Sequence, residues 1–459
     1  MLKDITGKMG KFWLPDDDTC FNGILEKENG NFVFKTSEKN FEAFEQDYIL
    51  INGMVENSEM TLIFFKIMSE VTFAEVSNMN YSILYLFEGF FKSIDEISFD
   101  NVVLDIDNIS SVIDLDSLTE NIDEENNQFS VSYSLDSFSF DLNDFNLKIF
   151  KELYTSSKRL GNGNYIALNE KILLKLSYFE NVNIKKLNHD IRIIRDFFSF
   201  LTGKSHVIDI YRTENKHDKS IFLPLLDDDS NCERNFYTYI SITKNNAENM
   251  VKSWWDNYNN LFDVYYSYFT AIESSDVITS FLTFSRILES YHRHRYEGLY
   301  VSSEDFERVS DDFINCATKV EYLDSIVSKD NKSNYLNKLR GSIEHCNEFT
   351  FADRLKELFE GLLNLNLFKE ILEKFSNGSD LNPSLNNLKK IIKTNRNYYT
   401  HYGVKEVGVY NEIDLLELRD ALKFIIELIF FKELGYSYEE INEITSKNNR
   451  FKLNQYYTL

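Results

Sequence analysis

Asn382-Pro-Ser-Leu-Asn-Asn-Leu-Lys-Lys-Ile-Ile-Lys-Thr-Asn-Arg396-Asn-Tyr-Tyr-Thr-His401-Tyr-Gly403 joins the clearest helical pattern in the chain to its most chemically suggestive residues. Leu385, Leu388, Ile392, Tyr399 and Tyr402 recur at helical spacing, which predicts a helix with Tyr399 and Tyr402 in the core. Pro383 is tolerated at the first helical position, and Gly403 supplies the stop. His401 has the side chain whose ordinary pKa lies near neutrality, so it can exchange protons at a phosphodiester. Arg396 can hold a phosphate in fork geometry and stabilise its transition-state charge, and Asn397 could orient either group. Five residues advance an ideal helix by about 500°, leaving Arg396 and His401 roughly 140° apart. One straight helix therefore cannot aim both at one phosphate. A distorted helix end near Gly403, or two chains pooling their motifs, would.

Outward from this segment, helical periodicity extends back to about Ser241. Met250, Trp254, Tyr258 and Phe262 trace one face; Val277, Phe281, Phe284, Leu288 and Tyr291 a second; Leu355, Leu358, Phe359 and Leu362 a third. Beyond the segment, Ile413 to Leu434 reads as a long amphipathic helix ended by Gly435, and Ser437 with Glu440 as a capping box. Before Ser241 the pattern is different. Residues 1–147 read as β: a hairpin turning at Asn29-Gly30, then strand-like runs at Met60 to Ile67, Tyr81 to Leu86 and Val102 to Ile106. Residues 148–240 read as a small α/β part, with strands at Tyr165 to Leu168, Ile172 to Tyr178 and His206 to Tyr211. Between them, Ile184 to Leu201 forms a helix capped by Gly203. Gly203-Lys204-Ser205 lacks the earlier glycine of a phosphate-binding loop, since Phe198 stands there. The fold class is thus multidomain α+β: a β-rich region at 1–147, an α/β part at 148–240 and an all-helical region at 241–459.

Composition narrows the possible functions. At 459 residues the chain can bury two or three cores, and 43% hydrophobic residues exclude general disorder. Cys20, Cys232, Cys316 and Cys346 lie far apart, giving neither a zinc knuckle nor a disulfide framework. From Ser93 to Leu147 there is no Lys or Arg, while Asp105, Asp107, Asp114, Asp116, Asp123, Glu124 and Glu125 accumulate. No regular ligand spacing emerges there, so a solvated acidic face or linker is expected rather than a metal site. The formal charge of −25 repels nucleic acid at long range, so any RNA site must be local. No signal-type or spanning apolar run is apparent, and a cytoplasmic protein with no membrane contact is expected.

Arg-x4-His by spacing alone is weak: Arg212/His217, Arg340/His345 and Arg396/His401 all match, where chance would give roughly 0.2 pairs. Arg212 sits in a charged loop, and Gly341 weakens a helix after Arg340. On spacing alone, a packed, hydrogen-bonded imidazole accounts for His401 better than a catalytic one, since a His among tyrosines near a helix end is more often packed than reactive.

Arg396-Asn-Tyr-Tyr-Thr-His401 resembles the R-N-x-x-x-H motif of HEPN ribonucleases. Phe281-Leu-Thr-Phe-Ser-Arg-Ile-Leu-Glu289-Ser-Tyr-His-Arg-His294 is similar to the early helix that carries an acidic residue in those domains. Phe351-Ala-Asp-Arg354-Leu-Lys-Glu-Leu358 is similar to a middle helix of the ApeA-like subgroup, and Gly10-Lys-Phe-Trp13-Leu-Pro15 with Phe21-Asn-Gly23-Ile-Leu to its N-terminal opening. The resemblance implies a HEPN-type helical bundle at 241–459 and a sensing or regulatory N-terminal region. It implies a metal-independent endoribonuclease without cofactor, dimeric, cleaving RNA such as tRNA in abortive anti-phage defence after an unknown phage trigger. Arg396, Asn397 and His401 would then be the active site, with Glu289 as acidic partner of Arg396. Lys389, Lys390, Lys393, Arg293 and Arg295 are candidate RNA contacts, and Tyr398 could stack on a base. Two alternatives stay open: a non-catalytic dimerisation or interaction module, and a site at Arg340/His345.

Overall fold

The short alternating runs at the start of the chain pair as antiparallel strands in the computed structural model. It describes residues 5–17, 19–28, 31–38, 41, 48–65, 69–73, 76–107, 109–115, 118–123, 128–133, 137–160, 163–204, 206, 208–213, 221–222, 240–319, 327–375, 381–405 and 407–452. Two units, 1–252 and 253–459, carry their own contacts.

In the first unit the strands are β1 Met9–Trp13, β2 Phe21–Glu28, β3 Asn31–Thr36, β4 Tyr48–Val55, β5 Ser58–Phe65, β6 Ser69–Phe73 and β7 Val76–Glu88. Six of them close on themselves in the order β7-β3-β2-β1-β4-β5, with β5 returning to β7; closure removes the exposed edges an open sheet would leave. Glu28 pairs with Asn31, as the expected hairpin requires, and its turn residues Asn29 and Gly30 lie outside the described residues. Alternate residues point inward, where Phe12, Phe21, Phe34, Phe41, Phe64 and Tyr81 are buried against one another. Gly53 is required here, because a Cβ on it would run into the Phe12 ring.

A second, five-stranded sheet has the order β11-β12-β13-β8-β14, from β8 Ser98–Ile106, β11 Ser137–Asp141, β12 Phe145–Leu160, β13 Gly163–Asn183 and β14 Ile208–Thr213. Three expectations change here. The acidic stretch 93–147 is not a linker, since it holds β8, the paired strands β9 Leu118–Asp123 and β10 Gln128–Tyr133, and β11. A boundary at 147/148 would cut β12, whose sheet joins strands from both sides of it. The two strands expected at 165–168 and 172–178 are one continuous β13, paired with β12 from Gly163 to Tyr178. Asp116, Glu124, Glu125, Cys232 and His217 lie outside the described residues. Helix α1, Ile184–Thr202, is capped by the Asn183 side chain and ends at Gly203 in the left-handed region, φ 71°.

The second unit is helical. The helix α2 Ala247–Asn260 enters it at Ser253, and its other elements are α3 Phe262–Glu273, α4 Val277–Arg295, α5 Ser303–Thr318, α6 Lys329–Glu344, α7 Phe351–Glu360, α8 Asn366–Lys374, α9 Leu381–His401, α10 Glu412–Glu433 and α11 Tyr438–Lys447. The stripe expected to run from Met250 through Phe262 breaks at Leu261, and Phe262 is exposed on the next helix. α10 is the centre. From Ala421 to Phe431 all its residues but Lys423 are buried, so this half is a core helix, while Glu412 to Asp420 keep the expected amphipathic pattern with Leu415 and Leu418 turned inward. Its one buried acid, Glu427, accepts from the Tyr268 hydroxyl at 2.5 Å and lies 3.5 Å from Arg450. α4 packs on α10, and α9 lies against α4, α7 and α8. The Ser437/Glu440 capping box is present. Among the described residues no helix is long and apolar enough to cross a membrane.

Candidate active site

α9 begins at Leu381, so Pro383 stands inside the first turn, where its missing N–H costs no hydrogen bond. The helix stays regular through His401, and the Tyr402 N–H still donates to the Tyr398 carbonyl at 2.6 Å. The left-handed residue that ends it is Tyr402, φ 45°, and not Gly403. Tyr402 is exposed, against the expectation that it extends the core; Tyr399 is buried. The returning chain is pinned by Asn395, fully buried within the apolar stripe. Its amide donates to the carbonyls of Ile391 and Gly408 at 2.9 and 3.2 Å and accepts from the Tyr410 N–H at 2.7 Å. Tyr399 adds a bond from its hydroxyl to the Tyr410 carbonyl at 2.8 Å.

Arg396 faces α4 and α7. Its Nη2 donates to Glu289 Oε2 at 2.7 Å, and its guanidinium lies over the Phe351 ring at 4.3 Å. Its side chain keeps 30% exposure, leaving other N–H donors open to solvent. His401 is exposed at the end of α9, and Asn397 is exposed one residue beyond Arg396. Because the helix is regular over these turns, the roughly 140° between Arg396 and His401 persists. The structure thus brings Arg396 and Glu289 together and leaves His401 on another side of α9.

The remaining candidates divide. Lys390 and Lys393 are exposed; Lys389 is half-buried, and burial together with the nearby Lys356 ammonium pushes its pKa down. Tyr398 is half-buried and stacks edge-on against Tyr399 at 5.1 Å. Arg295 is bound at both ends of its fork by Glu433, at 3.0 and 2.7 Å, and also reaches Asn257 at 2.5 Å. Arg293 lies between Glu289 at 3.3 Å and Glu348 at 2.7 Å. Of the other Arg-x4-His pairs, Arg340 lies on α6, which continues through Gly341, and the exposed His345 caps it with Nδ1 against Glu348 Oε1 at 2.9 Å.

Sequence reading missed the buried side of this cluster. Arg354 on α7 and His292 on α4 are both buried, with Arg354 Nη1 donating to His292 Nδ1 at 3.0 Å. A guanidinium has no lone pair to offer, so His292 Nδ1 must accept and its Nε2–H donates to Glu357 at 2.8 Å. Burial pushes the His292 pKa below its ordinary value. The available signal was Arg354 standing between Asp353 and Leu355 at a position the helical period turns inward. Among the described residues no group of three or more His, Cys, Asp and Glu is placed to hold a metal ion.

Comparison with known families gives two matches that together span most of the chain. Residues 282–440, which contain Glu289, Arg354, Arg396 and His401, match the Apea-like HEPN model. Residues 7–254, more than half of the chain and all of the barrel strands, match ApeA N-terminal domain 1. No curated protein and no solved structure matches. With its N-terminal domain and its helical domain both matched, the chain belongs to the ApeA-like HEPN family.

Proposed function

We propose that the protein is an anti-phage endoribonuclease whose helical domain cleaves cellular RNA, tRNA foremost, without a metal ion. The observation that carries this is the constellation on α9: a guanidinium oriented by Glu289 with donors still open, and an exposed imidazole five residues on. His401 takes the proton from a ribose 2′-OH, the 2′-oxygen attacks phosphorus as the P–O5′ bond breaks, and the imidazolium so formed returns the proton to the departing 5′-oxygen. The products are a 2′,3′-cyclic phosphate and a 5′-OH. Arg396 holds the non-bridging oxygens, where charge grows in the transition state. Since Arg396 and His401 point to different sides of one helix, two copies pool their motifs, His401 of one reaching the phosphate held by the other. Lys390 and Lys393 guide the strand, and Tyr398 offers an edge to an unpaired base. The barrel unit senses the infection.

The test is incubation of the full chain with total tRNA in EDTA, reading chain ends. Cyclic phosphate ends that disappear with His401→Ala and with Arg396→Ala, and reappear when the two variants are mixed, are expected. Cleavage that survives His401→Ala overturns the assignment. Absence of cleavage in the wild type leaves the helical domain as a binding module.

A further inference from the structure

Glu289 serves two guanidinium groups. Its Oε2 accepts from Arg396 at 2.7 Å and its Oε1 from Arg293 at 3.3 Å. Arg293 lies one turn along the same helix, so it stays within reach of this carboxylate whatever Arg396 does. Released from other partners, its planar fork could take both oxygens of Glu289 and displace Arg396. What restrains it is Glu348, whose Oε2 accepts from Arg293 Nη1 at 2.7 Å, the shorter of its two ion pairs.

Glu348 is itself held by further partners. His345 Nδ1 lies 2.9 Å from Oε1, and the buried Arg354 reaches Oε2 at 3.4 Å. Its backbone pairs with Leu299, where the chain enters and leaves the α5–α6 hairpin. Arg354 cannot shift, because Nε donates to the Phe349 carbonyl, Nη1 to His292, and Gly298 closes over it with φ 62°. A Cβ on Gly298 would stand 2.5 Å from Nη1. The hydrogen bonds from His345 and Arg293 hold the Glu348 carboxyl below the usual carboxylate range, so it is ionised wherever RNA would be cleaved.

We propose that Glu348 is a positioning residue for the nuclease site: by retaining Arg293 it leaves Glu289 free to orient Arg396. This rests on the RNA-cleaving reading, and it has a signature that a merely structural carboxylate lacks. Glu348 matters only while Arg293 is present to compete.

The experiment compares full-length Glu348→Gln, Glu348→Asp, Arg293→Met and the double variant Glu348→Gln/Arg293→Met in steady-state RNA cleavage. Glu348→Gln keeps the shape and loses the charge; kcat is expected to fall about tenfold with KM within about twofold, because misplacing a charge-stabilising group costs turnover rather than binding. Glu348→Asp recovers part of the loss. The double variant returns to the rate of Arg293→Met alone. A double variant no better than Glu348→Gln, or an unchanged kcat in Glu348→Gln, overturns the proposal, as does a raised KM in Arg293→Met, which would make Arg293 an RNA contact. A second readout needs no turnover: the ¹⁵N guanidinium signals of Arg396, slow to rotate when ion-paired, should average in Glu348→Gln and recover in the double variant. If the wild type cleaves no RNA, the nuclease reading fails and these signals alone decide whether Glu348 positions Arg396; unchanged signals overturn it.

Discussion

Arg396 is held by two different interactions, a carboxylate at one end of its fork and an aromatic face beneath it. Lysine could keep the charge but neither the fork nor the stacking. Arg396→Lys should therefore lower kcat by roughly 10- to 100-fold. Its melting temperature should stay near that of the wild type, since the side chain is partly exposed. Activity and thermal melts on one preparation check both. His292 makes a pH prediction. Its neutral form is required, because protonating Nδ1 would set an N–H against the N–H of Arg354. With the folded pKa below the ordinary 6.5, the unfolded chain binds a proton that the folded chain refuses just beneath that pH. The stability from this site is thus complete above about pH 6.5 and declines as pH falls toward the folded value. Melting temperatures between pH 7.5 and 5.5 should fall in the wild type and fall less in His292→Gln. The depressed carboxyls of Glu348 and Asp353 add a further loss only below their ordinary range.

At the scale of the element, α9 works because its last turns are fastened to the chain that follows. Asn395 does most of this, making three hydrogen bonds to backbone from a fully buried position. Removing it leaves the Gly408 carbonyl and the Tyr410 N–H without their partner. Asn395→Ala should cost about 2–4 kcal/mol, as expected for orphaned buried polar groups. Faster amide exchange at Tyr410 and weaker RNA cleavage, as the turn bearing His401 frays, should accompany it. Unaltered exchange at Tyr410 would remove Asn395 from this role. The α5–α6 hairpin behaves differently: Val309, Phe313 and Tyr335 remain exposed, and neither helix has a fully buried residue among those described.

At the scale of the whole molecule, the proposed RNA cleavage would require an acidic protein to rely on local positive charge. The formal charge is −25, while Lys390, Lys393 and Arg396 recur along α9 within two turns. Three phosphates can be neutralised by these groups, so RNA affinity should weaken with salt at a log–log slope of only about −2, near 0.7 per contact on single strands. Titrations of catalytically silent His401→Ala between 50 and 300 mM salt would measure it; a slope several times steeper would mean that a larger basic surface takes part.

Local patterns made much of this legible before any coordinates. The Asn29-Gly30 turn and strand-like runs marked β2, β3, β5 and β7 but not β1 or β4, period-3.6 stripes marked α4, α7 and α9, and Gly203 and Ser437 announced their caps, because each depends on neighbours a few residues away. Arg396 and Glu289 could be named as partners only through a family resemblance, since 107 residues separate them. The structural role of Asn395 was readable in principle, because it interrupts the Leu388-Ile392-Tyr399 stripe at a buried position. The continuity of β13, the burial of α10 on all sides from Ala421 to Phe431 and the sharing of Glu289 between two arginines were not readable. Those follow from which distant surfaces pack together, and a strand pairing or an ion pair buried by that packing leaves no periodic trace in either of its halves.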